Sequence, residues 1–330
     1  MKRLVPLAVL VALATLPFSA LRVPGLLPGP VNSPGSLRIL ALCLVFAALA
    51  AGYDLLFGRT GLLSFGHALY VAAGSYTVNI AVTRLGWTLP AALALAAVVG
   101  VALPLLIGAV SLRVTGIAFA MVTLAFAQAG SILTLRDPGG LTGGEEGLSL
   151  GAAPAFLLGV ANTVHLYWLA LAFLVCTVLV IRWANDTPAG RLWAAIRENE
   201  RRVAVLGVDP YPAKLLAYVL AGFLGTAGGV VHLLVSGGSN PALTTSALTL
   251  SLLVMVVLGG TGSRWGAIVG GALYTFLDLR LGELATSETL RGLPAVLRVP
   301  LTEPLFVLGV LFVIMVYALP HGLAGLRRAS

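Results

Sequence analysis

The chain has 330 residues, of which 59% are hydrophobic and only 10% are charged. This composition excludes an ordinary soluble domain and indicates an integral membrane protein, and the long apolar runs favour helices over a barrel. The formal net charge is +8, but the basic residues are scattered along the chain. That scatter argues against a nucleic-acid-binding face and favours loop charges that set membrane topology.

The first apolar run, residues 4–21, is compatible with either a signal peptide or a first spanning helix. Phe18 and Ser19 do not fit the small-x-small pattern that precedes a signal-peptidase cut at Ala20. We therefore favour a retained helix over a cleaved leader for residues 1–20.

Further apolar runs follow, most of them close to the roughly twenty residues that cross a bilayer. They cover residues 37–57, 61–82, 89–112, 114–135, 164–181, 213–235, 243–258, 267–279 and 304–319. Two of them, 61–82 and 213–235, are rich in Gly, Ala and Ser, which predicts close helix packing inside a bundle. The sequence thus predicts an all-α fold: a polytopic transmembrane helix bundle of about ten spans, in one domain over residues 1–330.

Two polar segments separate these runs. Residues 136–163 form a glycine-rich loop that contains Glu145 and Glu146, and residues 182–214 form the only long hydrophilic stretch in the C-terminal half. With the N-terminus in the cytoplasm, ten spans place thirteen of the 20 Lys and Arg residues inside. This bias predicts cytoplasmic N- and C-termini, a periplasmic 136–163 loop and a cytoplasmic 182–214 segment.

The 182–214 segment predicts an amphipathic helix over residues 188–206, about 28 Å long at roughly 1.5 Å per residue. Thr187 and Pro188 are start signals, a capping hydroxyl and a proline at the first helical position, and Gly207 is a stop signal. The predicted apolar stripe consists of Leu192, Ile196, Val203 and Leu206, interrupted by Asn199. The charged faces carry Arg191, Arg197, Glu198, Glu200, Arg201 and Arg202.

The chain contains no recognisable catalytic chemistry. Lys2 and Lys214 are its only lysines and neither follows a glycine, so a phosphate-binding loop of the form G-x-x-x-x-G-K-[ST] is absent. There is also no Ser/His/Asp set, no paired carboxylate site and no His/Cys metal cluster. We expect a protein that is not an enzyme and binds no metal or cofactor, so that any ATP is bound by a separate subunit.

Several stretches, taken in order, resemble a known family. They are YDLLFGRTGLLSFGHA (53–68), GIAFAMVTLAFAQ (116–128), LTGGEEGL (141–148), GRLWAAIRENERRVAVLG (190–207) and VVLGGTGSRWG (256–266). The chain resembles the permease subunits of branched-chain amino-acid ABC importers, the M type (LivM-like) rather than the H type. Residues 60–66 also weakly echo residues 261–266, which suggests an internal repeat.

The resemblance implies a permease in the bacterial inner membrane that pairs with a second, homologous H-type permease. It further implies two ATP-binding subunits, which hold ATP and Mg, on the cytoplasmic side and a periplasmic solute-binding protein that delivers the substrate. The expected cargo is a branched-chain amino acid. The open alternatives are urea or a short amide carried by the same family, an ion-coupled secondary transporter, and a membrane anchor without transport activity.

Within this framework the helix at 188–206 is expected to couple the permease to the ATPase through its charged face. The expected coupling residues are Arg191, Ile196, Arg197, Glu198, Asn199, Glu200, Arg201 and Gly207. The alternative is an interfacial helix that lies on anionic lipid.

A second group of residues consists of glycines and polar side chains at or near membrane depth, which are candidates for the substrate pathway. They are Gly61, Ser64, His67, Gly74, Gln128, Gly259, Gly260 and Gly262. The alternative for this group is structural: close helix packing for the glycines and inter-helix hydrogen bonds for the polar side chains.

Overall fold

The structure is a computed structural model that describes residues 4–19, 21–22, 27–151, 162–263, 265–285, 303–318 and 322–327. The helices are α1 (Leu4–Thr15), α2 (Pro34–Asp54), α3 (His67–Thr83), α4 (Leu89–Ser111), α5 (Ile117–Arg136), α6 (Thr163–Asp186), α7 (Pro188–Val205), α8 (Pro210–Ser236), α9 (Ser246–Gly259), α10 (Gly266–Ala285) and α11 (Pro304–Ala318). A π-helical turn, Leu55–Arg59, extends α2. Two short strands, β1 (Leu148–Ser149) and β2 (Gly238–Ser239), pair antiparallel.

Among the described residues, six helical segments are long and apolar enough to cross a membrane. They are Pro34–Arg59, Leu89–Ser111, Ile117–Arg136, Thr163–Asp186, Pro210–Ser236 and a segment that begins at Leu305. The predicted class, an all-helical membrane protein, is confirmed, and the number of about ten spans stays a prediction. Within the predicted first helix, residues 1–3 and 20 lie outside the described residues. Residues 152–161 of the polar loop also lie outside them.

The start and stop signals of the amphipathic helix are confirmed. Thr187 caps α7, with its Oγ1 accepting a hydrogen bond from Gly190 N at 3.4 Å, and Pro188 is the first helical residue. The helix ends at Val205, and Gly207 takes the left-handed conformation with φ +83°. A glycine adopts this conformation without the steric cost of a Cβ.

The bundle is built around α2, α3 and α8, and small residues let these helices approach closely. A Cβ on Gly74 of α3 would lie 2.8 Å from the carbonyl carbon of Thr226 on α8. A Cβ on Gly229 of α8 would lie equally close to the carbonyl carbon of Val71. The two backbones therefore touch, as the small residues in both segments predicted.

The predicted span over residues 61–82 is wrong at its beginning, because α3 starts only at His67. Gly61 has φ +75°, and the backbone N–H groups of Phe65 and Gly66 donate to the side chains of Thr123 and Ser64 instead of to helical carbonyls. Since a side chain on α5 and one within the connection satisfy these donors, an apolar sequence can remain unwound here. Residues 61–66 form an irregular, partly buried connection between α2 and α3.

Other helix boundaries also differ from the prediction by a few residues, and those of α9 and α10 are examples. A 3-10 turn over Pro241–Thr244 precedes α9, which therefore begins at Ser246 instead of residue 243. Helix α10 continues to Ala285 instead of ending at residue 279. Short polar interruptions within apolar runs leave such boundaries uncertain by a few residues.

One end of the bundle carries the strands and the described part of the 136–163 loop. Asn79 Nδ2 of α3 donates to Leu148 O of β1 at 2.6 Å and to Ser239 Oγ of β2 at 3.1 Å. Both polar side chains are fully or almost fully buried. The Asn79 side chain therefore links the loop to the C-terminal turns of α3. This end of the bundle lies opposite to the end at which α3 begins.

Candidate functional site

The amphipathic helix α7 is anchored to the bundle through one face. Trp193, Ile196 and Val203 are buried, with exposed fractions of 1%, 5% and 5%. Trp193 Nε1 donates to Ala213 O at 2.7 Å, which fixes α7 to the beginning of α8. Since a buried indole N–H needs a partner, this bond sets the orientation of the helix as well as stabilising it.

The helix is not continuous, contrary to the prediction of one straight element over residues 188–206. Asn199 has φ −162° and ψ 100°, an extended backbone between two helical segments. Its Oδ1 accepts a hydrogen bond from Arg202 N at 3.0 Å, the geometry of an N-cap for the second segment. Asparagine favours this arrangement because its side chain competes with the backbone for local hydrogen bonds.

The break changes which residues face water. Leu206, predicted to continue the buried stripe, is 81% exposed, and Val205 is 87% exposed. Because the backbone is extended at Asn199, residues before and after it do not share one continuous helical face. Arg197 and Asn199 are exposed as well, although both also make hydrogen bonds within the protein. The other exposed side chains include apolar and charged groups: Arg191, Glu198, Arg201, Arg202, Val205, Leu206 and Val208. We name this set the distal surface of α7.

Two of the predicted coupling residues bond to the bundle, although Arg197 is also exposed to solvent. Glu200 Oε1 lies 2.5 Å from Lys214 Nζ of α8, and the Lys214 side chain is almost fully buried. Arg197 Nη1 donates to Gly58 O in the π-helical turn that ends α2. Ile196 and Asn199 also have internal roles, as a core residue and a cap, whereas Gly207 is exposed at the end of the helix.

Two glycine turns meet beneath Arg197. The first, residues 58–61, follows α2, and the second, residues 259–262, follows α9. Asp54 Oδ1 accepts a hydrogen bond from Gly262 N at 2.8 Å, which joins the turns directly. The stretches that echo each other in sequence are thus neighbours in space. Four of the predicted pathway glycines lie in this junction: Gly61, Gly259, Gly260 and Gly262.

Ser64 and His67 follow the first glycine turn in the chain. Ser64 lies in the unwound connection, and His67 is the first residue of α3. Both are fully buried, and Tyr53 Oη donates to Ser64 O at 2.9 Å. The His67 ring makes edge contacts with Tyr53 and Tyr70, at centroid distances of 5.2 Å and 6.0 Å. Among the described residues, neither ring nitrogen of His67 has a hydrogen-bond partner.

The structure does not bring the remaining pathway candidates to this place. Gly74 lies further along α3, against the backbone of Thr226. Gln128 is exposed on α5, and its Nε2 donates to Ser246 Oγ at 3.3 Å. The predicted set is therefore divided between the junction, the α3–α8 contact and the surface of α5.

At the opposite end, Asp137 organises the start of the glycine-rich loop. Its Oδ1 accepts hydrogen bonds from Thr142 N at 2.7 Å, Thr142 Oγ1 at 2.9 Å and Gly143 N at 3.1 Å. The hydrogen bonds from Thr142 and Gly143, together with the charge of Arg84, hold the pKa of the Asp137 carboxyl below its usual range. Sequence reasoning missed this role, although Asp before Pro and Gly is a common turn signal.

The described helices define a polytopic α-helical membrane protein with an amphipathic helix at one end. Residues 35–319 match the family described as "Branched-chain amino acid transport system / permease component". The chain belongs to this family, as the resemblance in its motifs indicated.

Similar proteins carry related names. The chain is 29% identical over 265 residues to the high-affinity branched-chain amino acid transport system permease protein LivM of Salmonella typhimurium, covering 73% of this chain and 62% of that protein. The corresponding LivM of Escherichia coli shows the same identity and coverage. The LivH permease protein of Escherichia coli is 26% identical over 248 residues, covering 69% of this chain and 79% of that protein. The matches to the two LivM proteins thus span less than two thirds of their length, and no solved structure is significantly similar to the chain.

Proposed function

We propose that this chain is the membrane-spanning permease subunit of an ATP-binding-cassette importer that carries branched-chain amino acids across the bacterial inner membrane. Its relatives are named as permeases of branched-chain amino acid transport systems. The observation that carries the proposal is the two-sided α7, buried against the bundle on one face and open on the other. In this proposal ATP and Mg are bound by partner subunits, in keeping with a sequence that lacks a phosphate-binding loop of the G-x-x-x-x-G-K-[ST] form.

The distal surface of α7 is the proposed docking site for an ATP-binding subunit on the cytoplasmic side. Val205 and Leu206 supply apolar area, and Arg201 and Arg202 supply charge, a mixture typical of protein interfaces. A helix lying on lipid would direct its apolar face to the bilayer, but the Trp193 and Ile196 face of α7 is buried against the protein. This packing favours a protein partner over anionic lipid.

The complete importer has two ATP-binding subunits, one for each permease, an H-type permease paired with this chain, and a periplasmic solute-binding protein. Similarity to both LivM and LivH proteins supports a pair of homologous permeases. The N- and C-termini are cytoplasmic in this proposal, and the Asp137 end of the bundle faces the solute-binding protein. This orientation places the basic α7 segment inside, in agreement with the positive-inside rule.

The proposed substrate pathway begins at the unwound connection between α2 and α3. Ser64, His67 and the glycines of the junction provide polar groups and close walls where a helix is broken, a pattern found in transporters. Gln128 is an exposed amide on the apolar helix α5, which suits a wall facing water or the second permease. Gly74 contributes to the path by keeping α3 close to α8.

The test is uptake by the whole assembly in proteoliposomes, with both permeases, two ATP-binding subunits and the solute-binding protein. We expect labelled leucine to accumulate in the vesicles with ATP but not with a non-hydrolysable ATP analogue. This accumulation should persist when ionophores remove ion gradients. Uptake that survives ATP depletion would indicate an ion-coupled transporter. Uptake of labelled urea without leucine would indicate the urea or short-amide alternative.

A further inference from the structure

Arg197 lies where α7 meets both glycine turns. Its Nη1 donates to Gly58 O in the first turn. Its aliphatic stem lies on Gly61, where a Cβ would be 3.3 Å from Arg197 Cγ, and a Cβ on Gly262 would be 2.7 Å from Nη1. The Arg197 side chain thus packs against two turns that are far apart in sequence. A side chain at Gly61 or Gly262 would occupy the space that Arg197 fills.

The two turns are also locked to each other. Asp54 Oδ1 accepts from Gly262 N, and a Cβ on Gly58 would lie 2.5 Å from Gly262 N and 2.7 Å from Asp54 Cγ. No space remains between the turns for one to slide past the other. Since packed elements without voids move together, a displacement of the first turn carries the second.

Each turn connects a pair of helices. The first joins α2 to α3 through the unwound residues 61–66, and the second joins α9 to α10. Helix α3 packs on α8, and α10 packs on α2. A movement applied at the junction therefore reaches the pathway candidates at the start of α3 and both helix pairs at once.

We propose that Arg197, although partly open to solvent, is a positioning residue of the transport cycle, which ties α7 to the two glycine turns and transmits the displacement of α7 to the bundle. This inference rests on the proposed function and divides α7 into two working parts. Arg201, Arg202, Val205 and Leu206 bind the partner, whereas Arg197 passes its movement on. A guanidinium hydrogen bond combined with a packed stem suits this role, because coupling between sites needs continuous physical contact.

The experiment uses the complete importer in proteoliposomes and compares Arg197→Gln with Arg201→Gln, a second exposed arginine that lies beyond the Asn199 break. Two quantities are measured: the amount of ATP-binding subunit that co-purifies with the permease, and the number of leucine molecules imported per ATP hydrolysed. Arg113→Gln, in the exposed turn between α4 and α5, controls for the loss of a positive charge at the same end of the molecule.

For Arg197→Gln we expect normal co-purification and continued ATP hydrolysis, but about tenfold fewer leucine molecules per ATP, within the range that lost coupling contacts produce. Arg197→Lys, which can still donate to Gly58 O, should recover part of this loss. Arg201→Gln should instead reduce co-purification while each assembled complex keeps the normal ratio. A merely structural role for Arg197 would lower uptake and ATP hydrolysis together and leave the ratio unchanged.

Gly262→Ala provides a second variant that strains the same junction without changing a residue of α7, because its Cβ would lie 2.7 Å from Arg197 Nη1. It should also lower the ratio of leucine to ATP, and it decides the question if Arg197→Gln does not fold. The inference is overturned if Arg197→Gln keeps the normal ratio, or if it loses the ATP-binding subunit as Arg201→Gln does. Absence of ATP-dependent leucine uptake by the unmodified complex would instead contradict the proposed function itself.

Discussion

Glu200 of the second α7 segment and Lys214 of α8 form an ion pair, with Oε1 and Nζ 2.5 Å apart. The Lys214 side chain is 4% exposed and the Glu200 side chain 37% exposed, so the pair closes the edge of the bundle. An isolated buried ammonium group is costly, and Glu200 is its ionic partner here. The pair therefore fixes the segment beyond the Asn199 break to the bundle.

We expect Glu200→Gln to destabilise the protein by about 1–3 kcal/mol, less than for a fully buried pair because Glu200 is partly exposed. The reason is the uncompensated charge left on Lys214. Thermal unfolding of the purified protein in detergent measures the loss. Combining Glu200→Gln with Lys214→Met should recover part of it, whereas Glu198→Gln on the exposed face should change stability little. A double variant less stable than Glu200→Gln alone would contradict this explanation.

The cap at Asn199 allows a second test. Asn199→Ala removes the acceptor for Arg202 N, and losing such a cap costs about 1 kcal/mol of local stability. We expect faster hydrogen exchange of the amides of residues 200–205 with little change in the rest of the bundle. Asn199→Asp keeps an acceptor and serves as the matched control. Equal exchange in the alanine and aspartate variants would mean that the cap does not hold the segment.

The contact between α3 and α8 predicts a strong position dependence for glycine substitutions. Gly74→Ala would force a Cβ into the Thr226 backbone, and we expect a loss of about 1–3 kcal/mol as the helices separate. Gly309→Ala on α11 is the control, because a Cβ there meets no atom within 4 Å. The control should be neutral or slightly stabilising, since alanine has the better helix propensity. Similar thermal stabilities for the two variants would argue against close packing at Gly74.

The Asp137 turn predicts a dependence on acid pH. The folded protein lowers the pKa of this carboxyl below its ordinary value of 3.8, so the ionised form stabilises the turn. That contribution is fully present above the ordinary value and is lost as the pH falls through the lowered pKa. We expect the Thr142 and Gly143 amides to lose protection from hydrogen exchange only below about pH 4.

The matched variant for this test is Asp137→Asn. It still offers a side-chain oxygen to the Thr142 and Gly143 amides but cannot ionise, so the acid-dependent step should disappear. A step of equal size in both proteins would place its origin in another group.

The sequence alone determined the properties that depend on composition and local chemistry. Apolar runs identified the helical membrane class, since backbone groups in lipid must be satisfied within helices. Thr187, Pro188 and Gly207 marked the bounds of α7 correctly because capping and left-handed turns are local preferences. The order of the motifs identified the family before any contact was known.

Only the tertiary structure decided where the polar side chains point. Arg197 and Arg201 belong to the same charged segment in sequence, but the Arg197 guanidinium contacts the bundle because Gly58 O, Gly61 and Gly262 form a site for it. The sequence predicted a helix over residues 61–66, yet the segment is unwound and Phe65 N donates to Thr123 on another helix. The break at Asn199 moved Leu206 from the predicted core to the surface. Each of these outcomes depends on partners that are distant along the chain, and periodicity within one segment carries no information about such partners.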